Sequence, residues 1–228
     1  MSRRSKKDPS SNRRLVVGFV CEGSTDIVVL RRVVESVLGD IDQRNLQPET
    51  DALDRQVVGT RAGWSEVRAW CERVASLDEY FDPDVGEPLD LLVVAVDLDI
   101  AINAGLTKRP SNLSAYDASE LCKVIKSWLP TPLPGRVVIV IPVMATEAWV
   151  LAATFPRLQN LQSIVDPASV LVGKGKIEMG RNGPWKRVKE YRGFADMVAS
   201  KLKRVRAACG EADRFVTKLE RVATSLAP

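Results

Sequence analysis

Short runs of apolar residues recur along the chain and give the first indication of its fold. The clearest run, residues 91–96, has six aliphatic side chains in succession, which is typical of a strand buried on both faces. Residues 15–20 and 136–141 have the same character, so each predicts a further buried strand. A briefer apolar stretch predicts a short strand over residues 55–60, whereas the polar residues 39–54 predict a loop.

Between these runs, apolar residues recur at helical spacing. The predicted helices cover residues 27–38, 64–77, 115–129 and 147–153. Strands and helices therefore alternate, which predicts a parallel sheet with right-handed crossovers. Beyond residue 155 the chain is rich in loops, and two more helices, over residues 185–209 and 211–226, predict a C-terminal hairpin packed on the sheet.

The expected fold is an α/β fold: an open parallel sheet of about four strands flanked by helices, with a C-terminal helical extension. Residues 1–13 lack apolar periodicity and are expected to form a disordered basic tail. Residues 14–155 would form the α/β domain. Residues 156–228 would form a basic loop and the helical hairpin packed on that domain.

Two carboxylates stand where the central run ends. Asp97 and Asp99 follow residues 91–96, and alternation along a strand would point both to one side, roughly 6–7 Å apart. Ligands of open α/β sheets bind at this end of the strands. Two anions this close repel unless one is protonated or a cation lies between them, and a hard divalent ion meets that need. Aspartate is also common in turns that end strands, so a simple turn is the alternative.

Three more carboxylates are expected at the same edge of the sheet. Glu22 follows the first strand, and Glu147 begins the helix after the last strand. Asp26 lies one helical turn beyond Glu22, where it could do no more than complement the helix dipole. Hydroxyl side chains could cap these two helices: Ser24 or Thr25 the first, and Thr146 the second.

Composition narrows the possible chemistry. The 228 residues are 45% hydrophobic and 27% charged, as in an ordinary globular protein, and no apolar run reaches the ~18 residues that span a membrane. The N-terminal residues are basic and polar, unlike a signal peptide. The four cysteines form no C-x-x-C pair, which favours reduced thiols in the cytoplasm. There is no histidine, which excludes histidine bases, His-dependent triads and imidazole metal ligands.

Charge is unevenly distributed along the chain. Residues 1–14 carry six basic side chains and one acidic side chain. Residues 15–173 carry thirteen basic and twenty-two acidic side chains, and residues 174–208 carry eleven basic and three acidic ones. An acidic body with basic flanks suits a metal-binding domain whose flanks meet a polyanion, and solvated surfaces with a solubilising tail are the alternative. The candidate nucleic-acid-binding residues are Arg3, Arg4, Lys6, Lys7, Arg13, Arg14, Lys186 and Arg187.

Two features of the C-terminal part bear on substrate contacts. Lys174 and Lys176, in a Gly-Lys-Gly-Lys sequence, could form a mobile phosphate contact, although the spacing of a Walker A loop is missing. The aromatic residues Trp185, Tyr191 and Phe194 favour a place in the core over a role in stacking on bases.

The pattern of carboxylates resembles the toprim fold of topoisomerases, bacterial primases and nucleases of the overcoming-lysogenization-defect family. That fold has a glutamate after its first strand, often within E-G-x-x-D/E, and a D-x-D after a later one. Residues 22–26 (EGSTD) and 97–99 (DLD) match in order and spacing, and residues 142–149 look like a little-characterised toprim-like branch found near bacterial defence genes. The resemblance covers about residues 14–155.

This resemblance implies phosphoryl transfer on nucleic acid with one or two Mg²⁺ or Mn²⁺ ions. Glu22, Asp97 and Asp99 would hold one ion, and Asp26 with Glu147 would help to hold a second. Either Lys174 or Lys176 would then neutralise the transition state.

The function that we expect is a metal-dependent toprim-like nuclease acting on DNA or RNA, with a role as a defence effector. One alternative is a nucleotidyl- or other phosphotransferase that uses the same ions. Another is a non-catalytic toprim-like subunit that regulates a partner ATPase. Topoisomerase action is disfavoured, because no second domain offers a strand-passing tyrosine.

Overall fold

The central feature of the fold is one parallel sheet. The computed structural model describes residues 13–51, 55, 61–101, 103–105 and 115–226. The strands are β1 (Leu15–Val20), β2 (Ile41–Gln47), β3 (Leu91–Ala95) and β4 (Val137–Val140), in the order β2-β1-β3-β4. Every neighbouring pair is parallel. The predicted open parallel sheet of about four strands is therefore confirmed.

Helices cover both faces of this sheet. On one face lie α2 (Trp64–Arg73), α3 (Asp78–Phe81) and α4 (Ala115–Ser127). On the other lie α1 (Ser24–Leu38), α5 (Glu147–Thr154), α6 (Pro167–Gly173), α7 (Val188–Ser200), α8 (Leu202–Ala208) and α9 (Gly210–Leu226). Two short antiparallel strands, β5 (Met179–Gly180) and β6 (Gly183–Pro184), form a hairpin between α6 and α7. The predicted C-terminal helical extension is present.

Alternation along the strands divides the apolar side chains between two cores. In β1, Val17 and Phe19 pack toward α1 and the C-terminal helices, while Val16 and Val20 pack toward α2 and α4. Gly18 lies at a close approach, because a Cβ there would be 2.7 Å from the Cδ1 methyl of Leu89. The sheet is thus buried on both faces, as its apolar runs predict.

The second strand lies where the sequence predicted a loop. β2 falls inside residues 39–54, and the strand predicted over residues 55–60 lies outside the described residues except for Arg55. The physical reason is composition: β2 reads IDQRNLQ, and only Ile41 and Gln47 are buried. β1 pairs with a strand on each side, β2 and β3. Among the described strands β2 pairs with β1 alone, so it lies at the edge of the sheet. A strand at this margin needs no continuous apolar run.

Some helix boundaries also differ from those predicted. The helix predicted over residues 64–77 ends at Arg73. The short helix α3 begins at Asp78, whose amide donates a hydrogen bond to the Ser76 hydroxyl. The helix predicted over residues 185–209 begins only at Val188 and is interrupted at Lys201. The predicted hairpin of two helices is therefore three helices.

Two sequence-based expectations concern the environment of the chain. The four cysteines, Cys21, Cys71, Cys122 and Cys209, are all free thiols, as predicted. Among the described residues, no helix combines the length and the apolar character that crossing a bilayer requires.

Candidate metal centre at the carboxyl edge of the sheet

The strand order places a crevice at the carboxyl ends of β1 and β3. The chain leaves β1 for β2 on one side and later returns to β3 on the other side, so the strand order reverses between β1 and β3. Connections that diverge in this way leave room for a ligand beyond the strand ends. Glu22 follows β1 and Asp97 follows β3, which brings residues 75 positions apart together at this edge.

Three carboxylates form the centre of the site. One oxygen each from Glu22, Asp97 and Asp99 lies within 4.8 Å of the others. Glu22 Oε1 also accepts a hydrogen bond of 2.7 Å from the Asp97 amide, which fixes its direction. Glu22 and Asp97 are half-buried and Asp99 is exposed, so the cluster opens to solvent on one side. These three residues could hold a metal ion.

The backbone that carries the two aspartates is not an extended strand. β3 ends at Ala95, and residues Leu98–Ala101 form a turn of 3₁₀ helix. The expected alternation along a strand is therefore wrong here. The Leu98 amide donates to the Pro142 carbonyl (2.9 Å), and the Ile100 amide donates to the Asp97 carbonyl (3.4 Å). From this turn, one carboxylate oxygen of Asp97 and one of Asp99 lie within 4.8 Å of each other.

Asp26 lies beside this centre at the start of α1. It is buried, and its carboxylate accepts a 2.7 Å hydrogen bond from the Thr146 hydroxyl. Gly23 is the N-cap of α1, and no side-chain cap is present at α1 or α5. Ser24 and Thr25 therefore do not cap α1, contrary to the prediction. Thr146 does stand at the N-cap of α5, as predicted, but its hydroxyl donates to Asp26 and makes no hydrogen bond to the helix backbone.

Glu147 is the most buried of the five carboxylates, with 0% of its surface exposed. Its Oε1 accepts hydrogen bonds from the Tyr191 hydroxyl (2.5 Å) and the Lys186 ammonium (2.7 Å). Its Oε2 is buried and has no hydrogen-bond partner among the described residues. Met144, in the loop before α5, has a φ of 66°, the left-handed region that side chains usually avoid. Strained backbone of this kind is concentrated at functional sites.

Crowding of the carboxylates raises their pKa values. Burial, with the charges of Asp26 and Asp99, raises the pKa of Glu22 to about 8. Burial and the charge of Glu147 raise the pKa of Asp26 to about 6. The pKa of Asp97 lies well above its usual range, because it is desolvated and faces several other carboxylates. Such shifts mark groups that need a counter-charge.

Lys186 supplies positive charge to this cluster from the segment before α7. Burial alone would lower the pKa of its ammonium, but the carboxylates of Glu147 and Asp26 outweigh burial and raise it. Lys186 is one of the predicted nucleic-acid-binding residues, whereas its Nζ lies in the acidic cluster, 2.7 Å from Glu147 Oε1. No local pattern distinguishes Lys186 from the neighbouring basic residues, because its partner Glu147 lies 39 positions away.

The two lysines predicted to be catalytic lie elsewhere. Lys174 Nζ lies 5.8 Å from the ring centroid of Phe155, beside an open cavity that Pro156 and Leu158 also line. Lys176 is exposed, and its amide donates to the Leu171 carbonyl. Within the described part of the chain, no hydrogen bond or ion pair joins either lysine to the carboxylate cluster.

The candidate nucleic-acid-binding residues are also dispersed. Arg13 pairs with Asp90 at 2.6 Å, at the amino end of the sheet, and Arg14 lies 3.7 Å from Asp40. Arg187 pairs with Glu178 at 3.0 Å. The remaining candidates, Arg3, Arg4, Lys6 and Lys7, lie outside the described residues.

No protein-family model, no curated protein and no solved structure matches this chain. The functional feature of the described residues is the cluster of carboxylates formed by Glu22, Asp26, Asp97, Asp99 and Glu147.

Proposed function

We propose that the protein is a toprim-like nuclease, which hydrolyses phosphodiester bonds of nucleic acid with Mg²⁺ or Mn²⁺. One observation carries the proposal: five carboxylates converge where the strand order reverses, and oxygens of three of them lie within 4.8 Å of one another. The order of these carboxylates along the chain is also the order that the resemblance to toprim proteins implies.

The residues at this edge fit a hard divalent cation. The donors are carboxylate oxygens, which are the ligands that Mg²⁺ and Mn²⁺ prefer. Lys186 brings one positive charge to a cluster in which the pKa values of Glu22, Asp26, Asp97 and Asp99 are all raised. A bound cation would favour the ionised form of each carboxylate and relieve their mutual repulsion.

Each group in the site has a proposed task. Glu22, Asp97 and Asp99 would hold the cation, and their open side leaves positions for water and a phosphate oxygen. When bound, the ion would polarise the phosphoryl oxygen and lower the pKa of a water molecule. Lys186 stays protonated and offers donors toward an anionic substrate. Tyr191 fixes the orientation of Glu147, to which Lys186 is bound.

A second ion would need a different arrangement of Lys186. Asp26 and Glu147 are the proposed ligands for it, but Glu147 Oε1 is bound by Lys186 and Tyr191, and Asp26 by Thr146. The one-ion arrangement therefore has the stronger support, and the unpartnered Glu147 Oε2 is the donor available to a second ion.

Nucleic acid is the proposed substrate because of where the positive charge lies. Residues 174–208 carry eleven basic side chains against three acidic ones, and this segment supplies Lys186 to the site. Polyanions are attracted by such a surface. The absence of histidine leaves metal-assisted hydrolysis by carboxylates as the chemistry best matched to these residues.

The decisive experiment compares the wild type with Asp97→Asn on plasmid DNA, single-stranded DNA and single-stranded RNA. We expect cleavage in Mg²⁺ or Mn²⁺ that EDTA abolishes, and a loss of about 100-fold or more in Asp97→Asn, which keeps shape but removes a ligand charge. Glu72→Gln is the matched control, since Glu72 is an exposed carboxylate on α2 that pairs with Arg68. It should cleave like the wild type.

Three results would count against the proposal. Cleavage that persists in EDTA, or in Asp97→Asn, would remove the metal site from the mechanism. Nucleotide incorporation without cleavage would favour a phosphotransferase. Inactivity with stable co-purification of an ATPase would favour the regulatory subunit. The bacterial defence role, the cytoplasmic location and the domain division at residues 13 and 155 stay predictions from the sequence.

A further inference from the structure

One large aromatic side chain next to the metal centre is exposed. Tyr191 and Phe194 are buried, as predicted, but Trp185 is 53% exposed. The large apolar surface of a tryptophan gains free energy when a ligand buries it, so an exposed indole is a candidate contact for a ligand. The prediction that all three aromatic residues belong to the core is therefore wrong for Trp185.

The β5–β6 hairpin holds this indole in place. Gly183, with a φ of 123°, permits the tight turn, and the Trp185 amide donates to the Glu178 carbonyl at 2.8 Å. The indole lies over Gly180, where an added Cβ would be 3.8 Å from Trp185 Cγ. Because Gly180 has no side chain, the ring can lie against the backbone of the hairpin.

Arg187 covers one face of the ring. Its guanidinium carbon lies 3.9 Å from the ring centroid, a close cation–π contact. Glu178 holds the guanidinium through a 3.0 Å hydrogen bond, and Glu190 lies 3.5 Å from it. Trp185 as a whole is 53% exposed, so part of its indole stays open to solvent beside these contacts. Ion pairs and the hairpin together fix the ring before any ligand arrives.

The indole lies at the margin of the proposed metal site. Lys186, the next residue, reaches Glu147 with its ammonium at 2.7 Å. Consecutive Cα atoms are about 3.8 Å apart, and neighbouring side chains in extended backbone point to opposite sides. Trp185 therefore lies on the opposite side of this segment from the Lys186 ammonium, so a strand with a phosphate at the carboxylate cluster would reach the ring by passing over the segment.

We propose that Trp185, braced by Arg187, is a stacking platform for an unpaired base of the strand that binds at the carboxylate cluster. The substrate class is therefore single-stranded nucleic acid, an inference that rests on the proposed nuclease function. Every base has a π-face, so an aromatic ring beside a basic surface binds single strands with little dependence on sequence. In a duplex the bases are already stacked and their faces are not available.

The test separates binding from cleavage. Anisotropy of labelled oligonucleotides in EDTA, where metal-dependent cleavage is blocked, would compare wild type, Trp185→Phe and Trp185→Leu. For a single strand we expect about a tenfold loss of affinity in Trp185→Leu and a smaller loss in Trp185→Phe, with weak duplex binding unchanged. Val165→Ala, which trims another exposed apolar side chain, should bind like the wild type.

Tryptophan fluorescence gives a second measurement that does not need the leucine variant to fold. A single-stranded oligonucleotide should quench the emission of the wild type, and most of this quenching should be lost in Trp185→Phe. Equal quenching in both proteins would overturn the proposal.

Failure of this inference is distinguishable from failure of the proposed function. Unchanged affinity in Trp185→Leu overturns the stacking platform, even if Asp97→Asn abolishes cleavage. Equal losses on single-stranded and duplex DNA also overturn it, as does a wild type that binds neither, which would make the hairpin a surface for a protein partner. Single-strand binding that depends on Trp185, without cleavage in Mn²⁺, supports the platform and refutes the nuclease.

Discussion

At the scale of single residues, the site is defined by negative charge that the protein only partly balances. Glu147 has two donors on Oε1 and, among the described residues, none on Oε2, and Asp97 faces four other carboxylates. Burying an unpaired charge is costly, so such groups either take up protons or bind a cation. The same residues are therefore expected to respond to both pH and divalent ions.

The raised pKa of Glu22 sets the direction in which stability should change with pH. Burial beside other carboxylates raises its pKa from 4.5 to about 8 in the metal-free fold. A carboxyl with a higher pKa in the folded state stabilises the fold when protonated, and this contribution is lost as the pH rises through the folded value. We expect the Tm in EDTA to fall between about pH 5 and pH 8. The Asp26 carboxyl, with a pKa of about 6, adds to the same trend.

Thermal unfolding in EDTA across this pH range measures the effect, and with no histidine in the chain few other side chains titrate there. Glu22→Gln should flatten the curve, whereas Glu72→Gln should leave it unchanged. Added Mg²⁺ should raise the Tm most at high pH, because the cation binds the ionised carboxylates. A Tm that is constant or rising from about pH 5 to pH 8 in EDTA would contradict the assignment.

The acidic residues of the site could be predicted from the sequence, but the basic residue that pairs with them, Lys186, could not. Glu22 and Asp97 could be predicted because parallel strands bring their carboxyl ends to one edge, so position along the chain implies proximity. Lys186 belongs to no strand end, and its approach to Glu147 depends on how the β5–β6 hairpin and α7 pack. Such tertiary placement leaves no local signal.

At the scale of elements, the C-terminal helices complete a site that the sheet begins. α7 packs against α1 and α5, which carry Asp26 and Glu147. From α7, Tyr191 donates to Glu147, while Lys186 precedes the same helix. An extension that looked peripheral in sequence therefore positions one of the five carboxylates.

Tyr191→Phe tests this role of α7. The change removes one hydroxyl that is fully buried and bound to Glu147 at 2.5 Å. A buried hydrogen bond to a charged group is worth about 1.5–3 kcal/mol, so we expect the free energy of unfolding to fall by about that amount. Cleavage should fall as well, because Glu147 and its partner Lys186 lose a fixed orientation.

Urea unfolding and cleavage rates measure the two effects. Tyr80→Phe is the matched control, because Tyr80 packs on Trp70 and its hydroxyl makes no hydrogen bond within the described residues. If Tyr191→Phe behaves like Tyr80→Phe in both assays, the hydroxyl does not position Glu147.

The elements that the sequence predicted best are those buried on both faces. β1, β3 and β4 appear as apolar runs because each contributes side chains to two cores. β2 has no such run, and because most of its side chains are polar its sequence predicted a loop. The turn Leu98–Ala101 was also missed, because its hydrogen bond to Pro142 joins segments that are distant in sequence.

At the scale of the whole molecule, the described basic residues Arg13 and Lys186 lie at opposite edges of the sheet. Lys186 and Arg187 adjoin the carboxyl edge, whereas Arg13 pairs with Asp90 just before β1 begins. The six residues of β1 separate these edges by roughly 20 Å at about 3.3 Å per residue. The N-terminal basic residues therefore start far from the proposed chemistry, and their contribution should be to affinity alone.

Deleting residues 1–12 tests this division of roles. The deletion removes four basic side chains and keeps Arg13 and Arg14, which pair with Asp90 and Asp40. Each phosphate contact to a single strand adds about 0.7 to the slope of log affinity against log salt, so the slope should fall by up to about 3. Turnover at saturating substrate should not change. The side chains removed are those of Arg3, Arg4, Lys6 and Lys7.

Full-length protein with these four side chains replaced by serine separates charge from length. It should show the same reduced salt slope as the deletion, since counterion release depends on charge and not on the number of residues. An unchanged slope in both variants would show that this segment does not contact phosphates. A loss of turnover at saturation would show instead that it reaches across the sheet to the carboxylate edge, which the placement of Arg13 at the amino edge argues against.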